Sequence, residues 1–429
     1  MRAVYRRVVT TRIALALGVL AACLRLPLAL TTPLWQDEVA SARILSEPNL
    51  AGVLHHVVRT ESTPPLWYVL AWLVHRVGVP VYDVRLLSAV EDGVLVALVV
   101  ALTARVLPLR AAATAGALVA VGAEFSAEGR WIRAYELFAV LTLALAFALL
   151  RGGAAWVALA VAAGSLTHYF FLFVVAAAVV WIATEPAVGR RRLLAAVAAG
   201  LVPFAAWSPW FAAQYHHHRY SWIGPFDWRE VALTPLRLFT PHGSLLAGVA
   251  ATAACAAGAA ILRRRGPAGR LVGLLAFGPL VLAATVWAAG VHVYADRNLI
   301  AAAAALARLP LAAPAAVVTA ATASFVVAQF HPGPPYDRFA HALVANGWRP
   351  GDAVAVYGNR SEFRSPLEWY LPGRPTLGNL VVGRIDEPVF VVAGRRPVVD
   401  RIGARNLRLD HRLLNGAVVF STARTTSRS

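Results

Sequence analysis

The chain has 429 residues, of which 59% are hydrophobic and 14% charged, with a mean hydropathy of +0.62. A charged fraction far below the roughly one quarter of soluble domains excludes an ordinary soluble enzyme. The net charge of +18 comes from arginine, since no lysine occurs; the arginines stand at the ends of apolar runs, so they read as topology and contacts with anionic lipid, with no nucleic acid as partner.

Charged residues make up 12% of residues 1–330 and 22% of residues 331–429, which predicts a transmembrane domain followed by a soluble one. Cys23 and Cys255 lie inside apolar runs and give neither a disulfide framework nor metal spacing. Five arginine groups, at 2–12, Arg105 with Arg110, Arg151, 190–192 and 263–270, are cytoplasmic by the positive-inside rule. An even number of crossings must then separate successive groups.

The first span, 13–31, has no small-residue cleavage site before Asp37 and reads as a retained helix. A long outer loop, 32–84, follows and opens Leu34-Trp35-Gln36-Asp37-Glu38. A carboxylate held at the membrane surface against apolar neighbours has its pKa raised toward working pH and suits a general base. Asp37 alternatively caps a helix over 38–46 with Glu38 in its first turn, and the two roles are compatible. Next comes Glu61-Ser62-Thr63-Pro64-Pro65-Leu66-Trp67-Tyr68, where Glu61 is a second carboxylate, a divalent-metal ligand or a solvated loop acid. The proline pair stiffens the turn into 64–79, too short and too aromatic for a span and read as an outer interfacial helix.

The run 86–104 spans with Glu91-Asp92 toward the bundle interior. Runs 111–125 and 134–150 flank an outer loop, 126–133, that sets Arg130, Arg133 and Tyr135 at a helix mouth. Arginine suits bidentate phosphate contact, with interfacial snorkelling as the alternative. The stretch 154–183 is too long for one span and reads as two short helices meeting near Gly164–Tyr169 on the outer side, where His168 and Tyr169 break the apolar run. A satisfied core histidine is the commoner explanation there. Runs 193–212 and 242–262 bracket an outer segment, 213–241, whose His216-His217-His218 is spaced consecutively and does not put ligands on one helical face. After 271–290, Arg297 opens the tenth helix, 298–313, or pairs with Asp296, and 314–330 completes eleven helices with the N-terminus inside and the tail outside. The tail alternates a helix over 336–346 with strand-like 353–357, 379–382, 389–393 and 417–421, a small extracytoplasmic α/β domain.

Taken in order, Leu34-Trp35-Gln36-Asp37-Glu38, Pro64-Pro65-Leu66-Trp67-Tyr68, Val84-Arg85-Leu86-Leu87-Ser88-Ala89, Arg133-Ala134-Tyr135, Thr167-His168-Tyr169-Phe170 and Asp296-Arg297-Asn298 resemble the polytopic GT-C glycosyltransferases. The resemblance is to the branch of protein mannosyltransferases, the lipid A aminoarabinose transferase and rhizobial lipopolysaccharide transferases. It implies a cell-membrane enzyme that takes a sugar from a polyprenyl-phosphate donor to an envelope acceptor on the outer face. Asp37 matches the family's first-loop catalytic acid, with Glu38 and Glu61 as further candidates. Arg130, Arg133, Tyr135, His168, Tyr169 and Arg297 are the candidate substrate-binding residues. Family members commonly carry Asp or His just before the proline pair, where this chain has Glu61-Ser62-Thr63; a divalent metal is left open as cofactor. The rival reading is a transporter or flippase of an envelope lipid or sugar, against which stand the lack of an internal repeat and the gathering of acids, arginines and aromatics in outer loops.

Overall fold

The computed structural model describes residues 2–185, 189–216, 223–238, 249, 253, 260, 263–300, 336–345, 354–357, 366–373, 390–393, 407–412 and 418–422. The chain divides into two compact units, Met1–Leu30 with Ile44–Phe330 and Thr31–Arg43 with His331–Ser429. The expected spans 242–262, 298–313 and 314–330 lie almost wholly outside the described residues, as do His217, His218 and the strand at 379–382.

The first unit is helical. Its elements are α1 (Arg2–Thr31), the end of α2 (Gln36–Leu45), α3 (Leu50–Thr60), α4 (Leu66–Arg76), α5 (Arg85–Thr103), α6 (Leu109–Val121), α7 (Ala123–Glu128) and α8 (Tyr135–Arg151). It continues with α9 (Ala154–Ser165), α10 (Phe171–Thr184), α11 (Arg190–His216), α12 (Trp228–Arg237) and α13 (Gly266–Ala288). Four described helices are long and apolar enough to cross a membrane: Arg7–Thr31, Val81–Thr103, Arg190–His216 and Gly266–Ala288. The long apolar stretch resolves into α9 and α10 joined by a turn at 166–170. At about 1.5 Å per residue the 11-residue α4 is far too short to span, and it buries Trp67, Tyr68 and Ala71.

Small residues let these helices approach closely, since between apolar helices in lipid close packing supplies the attraction. A Cβ on Gly18 of α1 would stand 2.5 Å from the carbonyl oxygen of Gly93 on α5, and one on Gly200 of α11 would meet the carbonyl oxygen of Ala158 on α9 at 2.6 Å. Asp92 of α5 faces inward and pairs with Arg25 of α1 at 2.9 Å, both side chains fully buried. Arg25 also donates to the carbonyl of Ala120 at 2.8 Å, so the charge carried into the bundle is offset on two sides.

The second unit combines the start of the first loop with the tail. It holds α14 (Tyr336–Ala345) and the strands β1 (Val354–Tyr357), β2 (Phe390–Ala393), β3 (Leu407–Arg412) and β4 (Val418–Thr422) in a sheet of order β1-β2-β4-β3. The β1–β2 pair is parallel, the others antiparallel, and β3 carries an irregularity between Leu409 and His411. Two contacts join loop to tail: the Leu34 N–H donates to Tyr370 Oη at 2.6 Å, and Arg43 pairs with Glu368 at 3.0 Å. The domain division expected at 330 therefore has residues 31–43 on the tail's side of it.

Candidate functional site

Asp37 and Glu38 both fall in the first turn of α2, which begins at Gln36. Asp37 is thus inside the helix, whereas the sequence offered it as the cap. Glu38 does the capping work: fully buried, its carboxylate accepts the backbone N–H of Trp35 at 3.3 Å, satisfying a donor that the helix start leaves open. Asp37 is half-buried, and its carbonyl accepts from the Ser41 hydroxyl.

Glu61 follows the last turn of α3 and is buried. Tyr68 Oη donates to its carboxylate at 2.7 Å, and Arg133 Nη1 does so at 3.1 Å. Thr63 in turn donates to Tyr68 Oη at 3.3 Å. Burial, with the Glu61 carboxylate adding to it and Arg133 opposing, holds the Tyr68 hydroxyl well above its ordinary pKa, so it stays a proton donor. Glu61 is therefore committed to an arginine and a tyrosine, and among the described residues no group of three or more His, Cys, Asp or Glu side chains gathers as metal ligands.

Arg133 turns its other side toward a cavity of about 230 Å³ in the first unit, walled by Tyr135, His168, Tyr169, Phe173, Phe211 and Arg297, among others. Five of the six residues read from the sequence as substrate-binding meet there. The exception is Arg130, which lies 5.9 Å from the ring of Trp131 and outside that lining. Arg133 and Arg297 each stand 5.9 Å from the Tyr135 ring centroid, so two guanidinium groups flank one aromatic wall.

The turn between α9 and α10 supplies His168 and Tyr169 and is tied to the first loop by the Leu66 N–H donating to the Leu166 carbonyl at 2.9 Å. His168 stacks on Phe138 with ring centroids 4.8 Å apart, and its Nδ1 accepts the Phe170 N–H at 3.2 Å. Burial first, then the charges of Arg133 and Arg297, push its pKa down to about 3. It is therefore a neutral imidazole at working pH, and with Nδ1 accepting, the proton sits on Nε2. Tyr169 Oη donates to Gln214 Oε1 and receives the Trp207 indole N–H at 3.0 Å.

Gln214 and Trp207 were missed in the sequence. The buried Gln214 amide also donates to the carbonyls of Val57 at 3.0 Å and Thr63 at 3.3 Å, binding α11 to the loop that carries Glu61. The signal was a single amide in the last turns of an apolar helix, where a polar side chain needs partners.

No protein-family profile matches the sequence, and no curated protein does. The fold, by contrast, is similar to that of the crystal structure of ArnT from Cupriavidus metallidurans in the apo state, with a TM-score of 0.57 at 13% identity over 98% of both chains. The same protein bound to undecaprenyl phosphate gives a TM-score of 0.55 at 13% identity over 97% of this chain and 98% of that one. The Archaeoglobus fulgidus oligosaccharyltransferase in complex with zinc and sulfate follows at a TM-score of 0.50 and 10% identity, over 96% of this chain and 73% of that one. Across nearly its whole length the chain shares its fold with these proteins.

Proposed function

We propose that the chain is a membrane glycosyltransferase that moves a sugar, a hexose or pentose, from a polyprenyl-phosphate carrier to an envelope lipid, glycan or protein. The observation that carries this reading is the cavity where Arg133 and Arg297 flank Tyr135 between apolar and aromatic walls. A phosphate on a lipid needs cations at one end and apolar surface at the other. The likeness in fold to an aminoarabinose transferase that binds undecaprenyl phosphate supports the same donor class here.

In this reading Asp37 accepts the proton of the attacking hydroxyl as its oxygen bonds to the anomeric carbon. The bond from that carbon to the phosphate oxygen breaks on the opposite face, so one displacement inverts the centre. The leaving polyprenyl phosphate keeps the electron pair, and Arg133 and Arg297 stabilise its charge. Neutral His168 adds no charge to repel them and offers an Nε2–H donor. Glu38 holds the start of α2, and Glu61 holds Arg133.

Binding of undecaprenyl phosphate to the purified chain tests the donor site. Arg133→Lys and Arg297→Lys keep the charge but lose the planar fork, so each should weaken binding about tenfold or more with folding retained. Wild-type binding by both variants would make these arginines interfacial anchors and remove the donor site.

A further inference from the structure

A second feature lies at the opposite end of α8 from Tyr135. There a groove of about 550 Å³ runs between α5, α8 and α9, lined by Leu98, Leu141, Ala144, Phe147, Arg151 and Trp156 among others. Its wall is open, with Trp156 68% exposed. Two guanidinium groups converge at its foot on a single ring: Arg105 lies 4.9 Å and Arg151 5.6 Å from the Phe147 centroid. Arg7 is the third cation, close enough that burial together with the charges of Arg151 and Arg7 pushes the Arg105 pKa below the ordinary guanidinium value.

Residues 1–36, 93–123 and 137–184, which supply α1 up to its end, the second half of α5, α6, most of α8, α9 and α10, contain no Asp or Glu. Among the described residues none of the three arginines forms an ion pair with an acid. Two like charges held against one ring at the foot of an apolar groove, with the charge of Arg7 acting on Arg105, call for an anion that also brings apolar surface. A free inorganic anion would answer the charge and leave Trp156 and its neighbours uncovered.

We propose that Arg105, Arg151 and this groove bind an anionic phospholipid, its phosphate against the two guanidinium groups and an acyl chain along Leu98, Ala144 and Trp156. The site is distinct from the Arg133 cavity: the two share no lining residue, and α8 places Arg151 roughly 24 Å from Tyr135 at 1.5 Å per residue. It stands whether or not the chain transfers a sugar.

Native mass spectrometry of the full chain in detergent, titrated with phosphatidylglycerol or with phosphatidylcholine of the same acyl chains, tests this. Wild type should retain phosphatidylglycerol in preference to phosphatidylcholine. The double variant Arg105→Gln/Arg151→Gln should lose about 25-fold in that affinity, roughly fivefold per charge removed. Arg105→Lys/Arg151→Lys should keep most of it. Ala144→Phe leaves every arginine in place and fills the groove, so it should weaken retention independently and decides the matter if the Gln pair does not fold. Equal retention of the two lipids, retention undiminished in Ala144→Phe, or displacement of the lipid by millimolar inorganic phosphate would each overturn the proposal.

Discussion

Glu61 and Arg133 are both almost fully buried, so their value depends on each other. Removing one partner of such a pair strands the other charge, which typically costs about 3–5 kcal/mol, more than the pair itself contributes. Glu61→Ala should therefore lower unfolding stability in detergent by about that amount and loosen Arg133 at the cavity. An unchanged midpoint would mean that water reaches and solvates Arg133. His168 gives a pH-dependent counterpart. The unfolded chain takes up a proton near the ordinary histidine value of 6.5, while the folded chain holds off until about 3. This contribution to stability is therefore full above pH 6.5 and is lost as the pH falls from there toward 3. His168→Gln should flatten the decline in melting temperature between pH 7 and pH 4; a slope equal to wild type would place the acid sensitivity in other groups.

At the scale of elements, the crossing of α1 and α5 depends on two glycines whose missing side chains allow backbone to meet backbone. A Cβ on Gly93 would stand 2.7 Å from the Gly18 carbonyl oxygen, an atom that cannot rotate away. Gly93→Ala should cost about 1–3 kcal/mol by overpacking, read as a lower melting temperature; no change would mean that the helices slide apart freely. Such crossings were illegible in the sequence, because any glycine in an apolar run looks alike until its neighbour is known. The turn between α9 and α10 was legible for the opposite reason: a run too long for one span, broken by His168 and Tyr169, leaves two helices as the economical solution. Polar residues within apolar runs likewise marked the cavity, since each must find a partner. Arg130 shows the limit of that rule, as it lies by the Trp131 ring and outside the cavity lining. The register of α2 escaped too: a start two residues earlier gave the capping role to Glu38 and left Asp37 to another.

For the whole molecule, the arginine pattern expects the tail and the first loop on one outer side. The contacts of Leu34 with Tyr370 and Arg43 with Glu368 are what a shared side requires. A reporter fused after Ser429 should be active only outside the cytoplasm, and cytoplasmic activity would contradict the topology. The central claim is sugar transfer, and Asp37→Asn tests it most directly. Asn keeps the size of Asp and removes its ability to take a proton, a loss that general base catalysis sets at about 10²–10⁴ in rate. With wild type and variant reconstituted in proteoliposomes and supplied with a polyprenyl-phosphate sugar and envelope acceptor, wild type should transfer sugar. The Asn variant should bind the donor equally and transfer it at least a hundredfold more slowly. Near-normal transfer by Asp37→Asn, or donor carried across the bilayer by wild type with no sugar transferred, would contradict the account.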